Sequence, residues 1–588
     1  MSDETTTMPI IKRLGKDLVT YKGVILVVTI SIIVYTITSV LAPFVLKDII
    51  DNYILKRTTS GLLSIVLIYL GLLIGQWASQ IVRSYSIQTV GQRFLKDLRN
   101  KVFEKLQRVH VGFFTERRIG DLISITINDT STLNEVLVSG VFSVIGEMLS
   151  LVGIIAMMIY LSPRLTLFAL VNIPLLIFIA LKFGRKLREA YKNTRLKIAD
   201  TTTAVEEGIA GITVVKAFNR EEDIIRNFEN MSRETLRAYI NVAKLMGLFW
   251  PSMDLAVALS TVLVLIYGGI LVVSGVASIG LIVAFIQYVN RMTRPIMQFI
   301  SMYDSLQAAI AAAERIYGII DIEEEIKDPE DPIIIQNPIG EVQLKNVTFS
   351  YIPENPVLKN VNLTVNPGET VALVGHTGAG KTTLANLIMR FYDPDYGEIT
   401  IDGVNIKRLR LKDLRNLVGY VPQETYLFSG TIMDNIRIGR LDASDEEIVE
   451  ICKLLGIHKF IERLPNGYYT DAGEAGKKLS TGEKQLIAIA RVMLKNPRIV
   501  ILDEALSSVD SATEAMIRNA IRTLMRNRTG IIIAHRLNVA KECDRIIVME
   551  DGRIVEEGTH EELMAKKGLY YKLYTASVGK AGGRRSVR

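Results

Sequence analysis

The sequence predicts an α-helical membrane domain of six spans followed by an α/β domain built around a P-loop. Three observations carry that expectation. The 588-residue chain is 49% hydrophobic with a positive mean hydropathy, which is too large and too apolar for one soluble domain. Its first half holds six apolar stretches, near 24–46, 62–81, 136–161, 165–183, 248–273 and 279–302, each about long enough to cross a ~30 Å hydrocarbon core. Its second half places the apolar run VALVG, read as a buried parallel strand, directly before GHTGAGKT and a helically spaced TLANLIMRF.

The spans come first in the chain, and their flanks predict orientation. Lys12, Arg13, Lys16 and Lys22 precede the first stretch, and the long segments after the second and fourth are dense in Lys and Arg. The positive-inside tendency therefore makes these ends, both termini and the second domain cytoplasmic. This asymmetry accounts for much of the formal charge of +7, so no nucleic-acid partner is expected. The first apolar stretch is too long for a cleaved signal, and no small-residue cleavage site follows it. Only Cys452 and Cys543 are present, and a disulfide framework is not indicated. Each long basic segment has helical apolar spacing and few breakers, and so predicts a helix pair projecting ~35 to 40 Å beyond the lipid at 1.5 Å per residue.

Residues 323–340 combine acidic charge with three prolines and no periodicity, and read as a linker. The expected organisation is a membrane domain over 1–322, the linker over 323–340, the α/β domain over 341–578 and a basic tail over 579–588.

In GHTGAGKT, Gly375, Gly378 and Gly380 let the backbone wrap a phosphate, with Thr377, Ala379 and Thr383 in the same loop and helix start. The helix N-terminus offers unpaired N–H groups, Lys381 reaches terminal phosphates, and Thr382 can ligate magnesium. Downstream, RIVILDEA reads as a second buried strand that ends in Asp503 and Glu504. Adjacent strand residues point opposite ways, so the two carboxylates take different jobs. Asp503 is the metal-side ligand, and Glu504 the group that polarises an attacking water.

These pieces together resemble the ATP-binding cassette family, over roughly 340–578. LSTGEKQ stands where that family has LSGGQ, SSVD puts Asp510 in its D-loop, VPQ puts Gln423 at its Q-loop, and AHR puts His535 at its switch histidine. FSY puts Tyr351 at the aromatic position that stacks on adenine. The resemblance implies ATP and Mg2+ as cofactors, Gln423 and His535 as catalytic-site residues with Lys381 and Glu504, and Thr382, Gln423 and Asp503 around the metal. It implies hydrolysis at the interface of two such domains facing head to tail. TDAGEAG, with Glu474, is similar to the loop before the signature that exporters use to touch membrane domains. FFTERRIGDLISITINDTSTL, with Asp121, and VEEGIAGITVVKAFNREE, with Gly211, look like the two coupling regions of exporters. The fold class expected is thus six membrane spans fused to an α/β P-loop ATP-binding cassette domain, a half-transporter of the exporter type.

The signature departs from the family pattern at Thr481 and Glu483, while Leu479, Ser480 and Gly482 remain. A carboxylate at Glu483 would compete with phosphate for the same positive helix end. Because each ATP site joins one chain's P-loop to the other's signature, a heterodimer with a second half-transporter is favoured, with a homodimer as the alternative.

Intramembrane polar residues point to the transport path. Gln287, Arg291, Arg294 and Gln298 follow i, i+4, i+7 and i+11 in the sixth stretch, Asp254 lies at a depth where it could pair with Arg294, and Glu147 is midway along the third. Glu147, Asp254, Arg291 and Arg294 are the path candidates. The reading is ATP-driven export, or outward flipping, of an amphipathic drug, lipid or peptide by alternating access. The alternatives are a nucleotide-gated or regulatory membrane subunit and a homodimeric lipid flippase.

Overall fold

The computed structural model describes residues 12–17, 19–171, 173–323, 326–503, 511–534 and 537–582. They fall into two compact units, Met1–Gln107 with Arg118–Ile322, and Arg108–Arg117 with Glu323–Arg588.

The first unit is helical. Its principal helices are α1 (Lys22–Asp48), α2 (Leu62–Arg108), α3 (Val141–Leu161), α4 (Ile173–Ala210), α5 (Glu221–Val273) and α6 (Ile279–Ile320). Among the described residues five helical stretches are long and apolar enough to cross a membrane: Lys22–Ile54, Leu62–Arg108, Ile119–Leu161, Pro163–Ala210 and Glu221–Val273. The sixth apolar stretch also lies in one continuous helix, α6, but its polar stripe holds it outside that set. Burial explains how α6 tolerates the stripe: Ala284, Phe285 and Tyr288 are fully buried among Val40, Ile154 and Val264. By contrast α2 leaves Leu63, Leu67, Leu70, Ile74, Trp77 and Ile81 exposed, the surface a lipid-facing helix presents once its backbone is satisfied internally.

Helices α2, α4 and α5 run on past their apolar windows as unbroken polar helices, 47, 38 and 53 residues long. At 1.5 Å per residue, 53 residues reach about 80 Å, more than twice the hydrocarbon core. A short turn at Gly211 and the helix Ile212–Ala217 join α4 to α5.

The second unit carries two sheets. A four-stranded antiparallel sheet has the order β2-β1-β4-β5, with β1 Val342–Ser350, β2 Pro356–Val365, β4 Tyr396–Ile401 and β5 Val404–Asn405. A six-stranded sheet has the order β10-β9-β3-β8-β7-β6, with β3 Thr370–Gly375, β6 Val418–Val421, β7 Ile499–Asp503, β8 Thr529–Ile533, β9 Arg545–Glu550 and β10 Arg553–Gly558. Strands β6, β7, β8, β3 and β9 run parallel, and β10 closes the edge antiparallel. Along β3, Val371 and Leu373 enter one apolar core while Ala372 and Val374 enter another on the opposite face. Both faces being covered is why VALVG is a continuous apolar run and not an alternating one.

From Lys327 onward the linker is hydrogen-bonded to the second unit. Arg390 donates to the Lys327 carbonyl at 3.2 Å, Leu411 N donates to Asp328 Oδ1 at 2.7 Å, and Ile333 N to the Arg408 carbonyl at 2.9 Å. Asp402 and Gly403 form the two-residue turn between β4 and β5 with φ of 49° and 75°, as an Asp-Gly hairpin turn requires. From that turn the Asp402 carboxylate accepts the backbone N–H groups of Ile339, Gly340 and Glu341 at 3.0, 2.9 and 2.8 Å. Asp402→Ala strands all three donors, a loss of ~1–3 kcal/mol. Amide exchange at residues 339–341 is expected to accelerate about tenfold or more by mass spectrometry, 1.4 kcal/mol being one factor of ten.

Candidate functional site

The loop between β3 and α7 (Lys381–Ile388) is shaped by glycines with specific demands. A Cβ on Gly375 would stand 2.2 Å from the Met549 carbonyl oxygen, so the loop leaves β3 hard against β9. Gly380, the residue before α7, has φ +98°, a backbone that side chains rarely adopt. Lys381 is buried, and its ammonium donates to the Gly375 and His376 carbonyls, both at 2.9 Å. His376, Thr377, Gly378 and Thr382 are exposed, while Ala379 and Thr383 are buried beneath them. The result is an open cradle of backbone amides at the start of a helix, with a cation poised in its base. Tyr351, 43% exposed, stands edge-on to Phe349 and Tyr392 with centroids 4.9 and 5.1 Å away, and its hydroxyl lies 3.3 Å from Thr383 Oγ1. The structure therefore brings Tyr351 to the same helix start as the loop.

Asp503 ends β7 and is 2% exposed. On β6, Tyr420 lies opposite Ile501, and its hydroxyl hydrogen-bonds to the Asp503 carboxylate. Burial, and then the Asp503 charge, push that hydroxyl up to about 12, so it stays a donor at neutral pH. Gln423 is exposed two residues beyond the end of β6. The parallel strands β3, β6 and β7 thus deliver Gly375, Gln423 and Asp503 from their carboxyl ends, the edge of an α/β sheet where ligands bind. Glu504, Asp510 and His535 lie outside the described residues.

The signature segment opens α8 (Thr481–Lys495). Ser480 is its N-cap, its hydroxyl accepting from Glu483 N at 3.3 Å, while the Glu483 carboxylate accepts Ser480 N–H at 2.7 Å. The pair is a reciprocal capping box. Gly482 is buried in the same turn, Thr481 is exposed, and Leu479 packs into the core beneath. Farther along α8, Arg491 donates to the Asn435 carbonyl at 2.6 Å and the Tyr426 carbonyl at 2.8 Å, tying α8 to the chain that follows Gln423. Burial pushes this guanidinium down to about 10, still charged at neutral pH. Neither Tyr420 nor Arg491 carried a sequence signal, because each is a lone residue beside a motif.

Two family comparisons cover most of the chain: residues 25–296 match the family described as ABC transporter transmembrane region, and residues 358–507 match the family described as ABC transporter. The uncharacterised ABC transporter ATP-binding protein YfiC of Bacillus subtilis (strain 168) is 36% identical over 97% of this chain and 94% of its own length. The chain belongs to the ATP-binding cassette transporters. The ATP-dependent lipid A-core flippase of Syntrophus aciditrophicus (strain SB) is 36% identical over 92% of this chain and 89% of its own. Among solved structures, that of a bacterial Atm1-family ABC exporter with ATP bound aligns with a TM-score of 0.75 at 27% identity, covering 100% of both chains. The chain is thus a multi-pass membrane protein that couples an ATPase domain to transport, with the exporter fold of fused membrane and ATP-binding parts.

In this transporter the coupling candidates sit in three places. Segment 108–117 groups with the ATP-binding unit, where Gly112 comes against Tyr392: a Cβ there would be 2.8 Å from its ring. Asp121 is exposed in the helix Ile119–Ser124 of the membrane unit, and Gly211 sits at the turn between α4 and α5. Glu474, in the short turn Glu474–Gly476, is exposed and pairs with Lys477 at 2.7 Å.

The membrane charges are arranged differently from the sequence expectation. Arg294 does not meet Asp254; its Nε lies 3.5 Å from Oε1 of Glu147 on α3. Met253 lies on the buried side of α5, and Asp254, one position and so about 100° farther round the helix, is exposed. Depth alone does not say on which side of α5 Asp254 lies. Glu147 is 8% exposed, whereas the Arg294 side chain is 68% exposed. Arg291 Nη1 donates to the Ser39 carbonyl of α1 at 2.7 Å.

Proposed function

We propose that the transporter exports or outwardly flips an amphipathic substrate by alternating access, as one half of a dimer whose two ATP sites each join a P-loop to the other chain's signature. The cradle of the P-loop, with the Lys381 ammonium on its Gly375 and His376 carbonyls, is the observation that carries this reading. In it, the loop amides and Lys381 hold the terminal phosphates, and Tyr351 stacks on adenine. Glu504 takes a proton from the attacking water, His535 contacts the γ-phosphate, and Asp510 communicates across the dimer. The donor set fits magnesium. The buried carboxylate of Asp503, the Thr382 hydroxyl and the Gln423 amide oxygen are the oxygen donors that would hold this ion. When bound, it neutralises charge on the phosphates. Closure of the two ATP-binding domains is then passed to the spans through the segments around Gly112, Asp121, Gly211 and Glu474.

Both termini and the ATP-binding domain are assigned to the cytoplasm on the Lys and Arg asymmetry of the flanks. An amphipathic lipid is the substrate class favoured, supported by the lipid A-core flippase among the relatives and by the ion pair of Glu147 and Arg294 within a largely apolar set of helices. The full chain in phosphatidylethanolamine and phosphatidylglycerol vesicles, with a fluorescent phosphatidylethanolamine and dithionite quenching, tests this. ATP-dependent, vanadate-sensitive translocation is expected, and ATP hydrolysis without any effect of lipid on its rate would remove lipid as the substrate.

A heterodimeric partner is favoured by Thr481 and Glu483, although the capping box lessens the weight of Glu483. Glutamine at that position would cap Ser480 as well, so Glu483→Gln should leave stability unchanged while removing a negative charge from the phosphate-facing helix end. Helix-terminal charges are worth ~0.3–1 kcal/mol, so hydrolysis by the purified chain should rise about two- to fivefold. An unchanged rate would mean that this carboxylate does not oppose phosphate. Robust Glu504-dependent turnover of the unmodified chain alone would favour the homodimer.

A further inference from the structure

Strand β6 is short, VGYV, and lies at the edge of the six-stranded sheet. Val418, Gly419 and Val421 are buried, and Tyr420 is its half-buried member. Alternate residues of a strand share a face, so Tyr420, its register neighbour Ile501 and Asp503 stand on one side of the sheet. Ile499 and Ile501 accordingly enter the apolar core against which Tyr420 packs, while Val500 and Leu502 enter the opposite one. Asp503 is two positions beyond Ile501, about 7 Å along the strand. A tyrosine is long enough to close that gap, and its hydroxyl meets the carboxylate. Valine at the same position would suit the strand equally and leave the carboxylate without this donor.

The ring is fixed from a second side. Phe391, just past α7, stands edge-on to Tyr420, with centroids 6.4 Å apart and planes at 78°. The Arg415 guanidinium lies over Phe391, 5.4 Å from its centroid. Phe391 N–H donates to the Asn386 carbonyl of α7 at 2.9 Å, which ties this packing to the helix that begins with Lys381. Asp503 is buried, and a buried carboxylate needs hydrogen-bond donors held in place. Three residues after Tyr420 the same chain reaches Gln423. Tyr420 therefore joins the strand that leads to Gln423 to the carboxylate at the end of β7.

We propose, resting on the reading of Asp503 as a metal ligand, that Tyr420 is a positioning residue that holds its carboxylate in the orientation a divalent cation requires. A carboxylate offers about four lone-pair sites, so one hydroxyl donor leaves others for the ion. Hydrogen-bond partners of ligating groups typically carry about 10–100-fold in metal affinity or activity. Tyr420→Phe keeps the ring against Phe391 and removes only the hydroxyl. The released carboxylate can then turn, so the loss should fall on metal binding and not on nucleotide held by the P-loop.

Mn2+ binding to the AMP-PNP-loaded full-length chain, read by electron paramagnetic resonance, tests this in the unmodified, Tyr420→Phe, Asp503→Asn and doubly substituted forms. AMP-PNP affinity in EDTA and the Mg2+ dependence of hydrolysis accompany it. Tyr420→Phe should weaken Mn2+ binding about tenfold and raise the Mg2+ concentration for half-maximal hydrolysis by a similar factor. AMP-PNP affinity in EDTA should stay within about twofold. Asp503→Asn should weaken Mn2+ binding at least as much, and adding Tyr420→Phe to it should cost less than about twofold more, because the two act through one group. Mn2+ binding sensitive to Asp503→Asn but indifferent to Tyr420→Phe, or two losses that multiply, overturns the proposal and leaves Asp503 as a metal ligand. Asp503→Asn without effect on Mn2+ removes that ligand, and the role of Tyr420 with it. An equal loss of AMP-PNP affinity in EDTA for Tyr420→Phe would make the tyrosine a part of the fold only, which also overturns the proposal.

Discussion

Lys381→Ala is expected to lower ATP hydrolysis by about 10²–10³-fold, the scale for removing one preorganised donor from a site of developing negative charge. The ammonium is buried and held by the carbonyls of Gly375 and His376 at 2.9 Å. Its removal takes away the only side-chain cation in that loop and leaves two carbonyl oxygens turned toward an anion. Ground-state binding should suffer with turnover, since the contact exists in both states. Photolabelling with an azido-ATP beside phosphate release should therefore show both falling, and full labelling with normal turnover would remove Lys381 from the site.

Glu504→Gln should behave differently. The glutamate follows Asp503, the proposed metal ligand, in sequence, and adjacent strand residues are expected to project to opposite sides. Losing a general base costs about 10²–10⁴-fold in turnover. The P-loop and Lys381 are untouched by that change, so nucleotide binding should persist and the closed dimer should accumulate with ATP. Gel filtration with ATP and single-turnover phosphate release measure the two halves of this expectation. Turnover within about threefold of the unmodified chain would assign water activation elsewhere.

The loop of the candidate ATP site was legible because phosphate binding makes narrow demands on sequence: glycines where the backbone must bend or approach, a lysine at one spacing, an apolar strand before and a helix after. The span helices were legible because lipid demands long apolar runs. What escaped the sequence was azimuth and long-range satisfaction. Hydropathy gives the depth of Asp254 but not the side of α5 on which it lies, so Glu147 emerged as the partner of Arg294 only from packing. The polar stripe of α6 suggested one shared role, yet Arg291 serves a backbone carbonyl of α1 and Arg294 a carboxylate on α3. The prolines and acids of 323–340 suggested a linker, while the groups that hold it lie far along the chain, at Arg390, Arg408, Leu411 and the hairpin turn of Asp402. Tyr420 beside Asp503 is invisible for a related reason, since strand register and not spacing brings them together.

The capping box at Ser480 bears on how such a chain can change over generations. Because Glu483 is held by its own helix's first N–H group, swapping it for glutamine leaves the fold of α8 unaltered. If the signature faces phosphate as proposed, a single-step exchange between acid and amide would tune catalytic speed there free of selection for foldability. Where most positions near an active site must trade stability for rate, this one offers lineages a neutral dial.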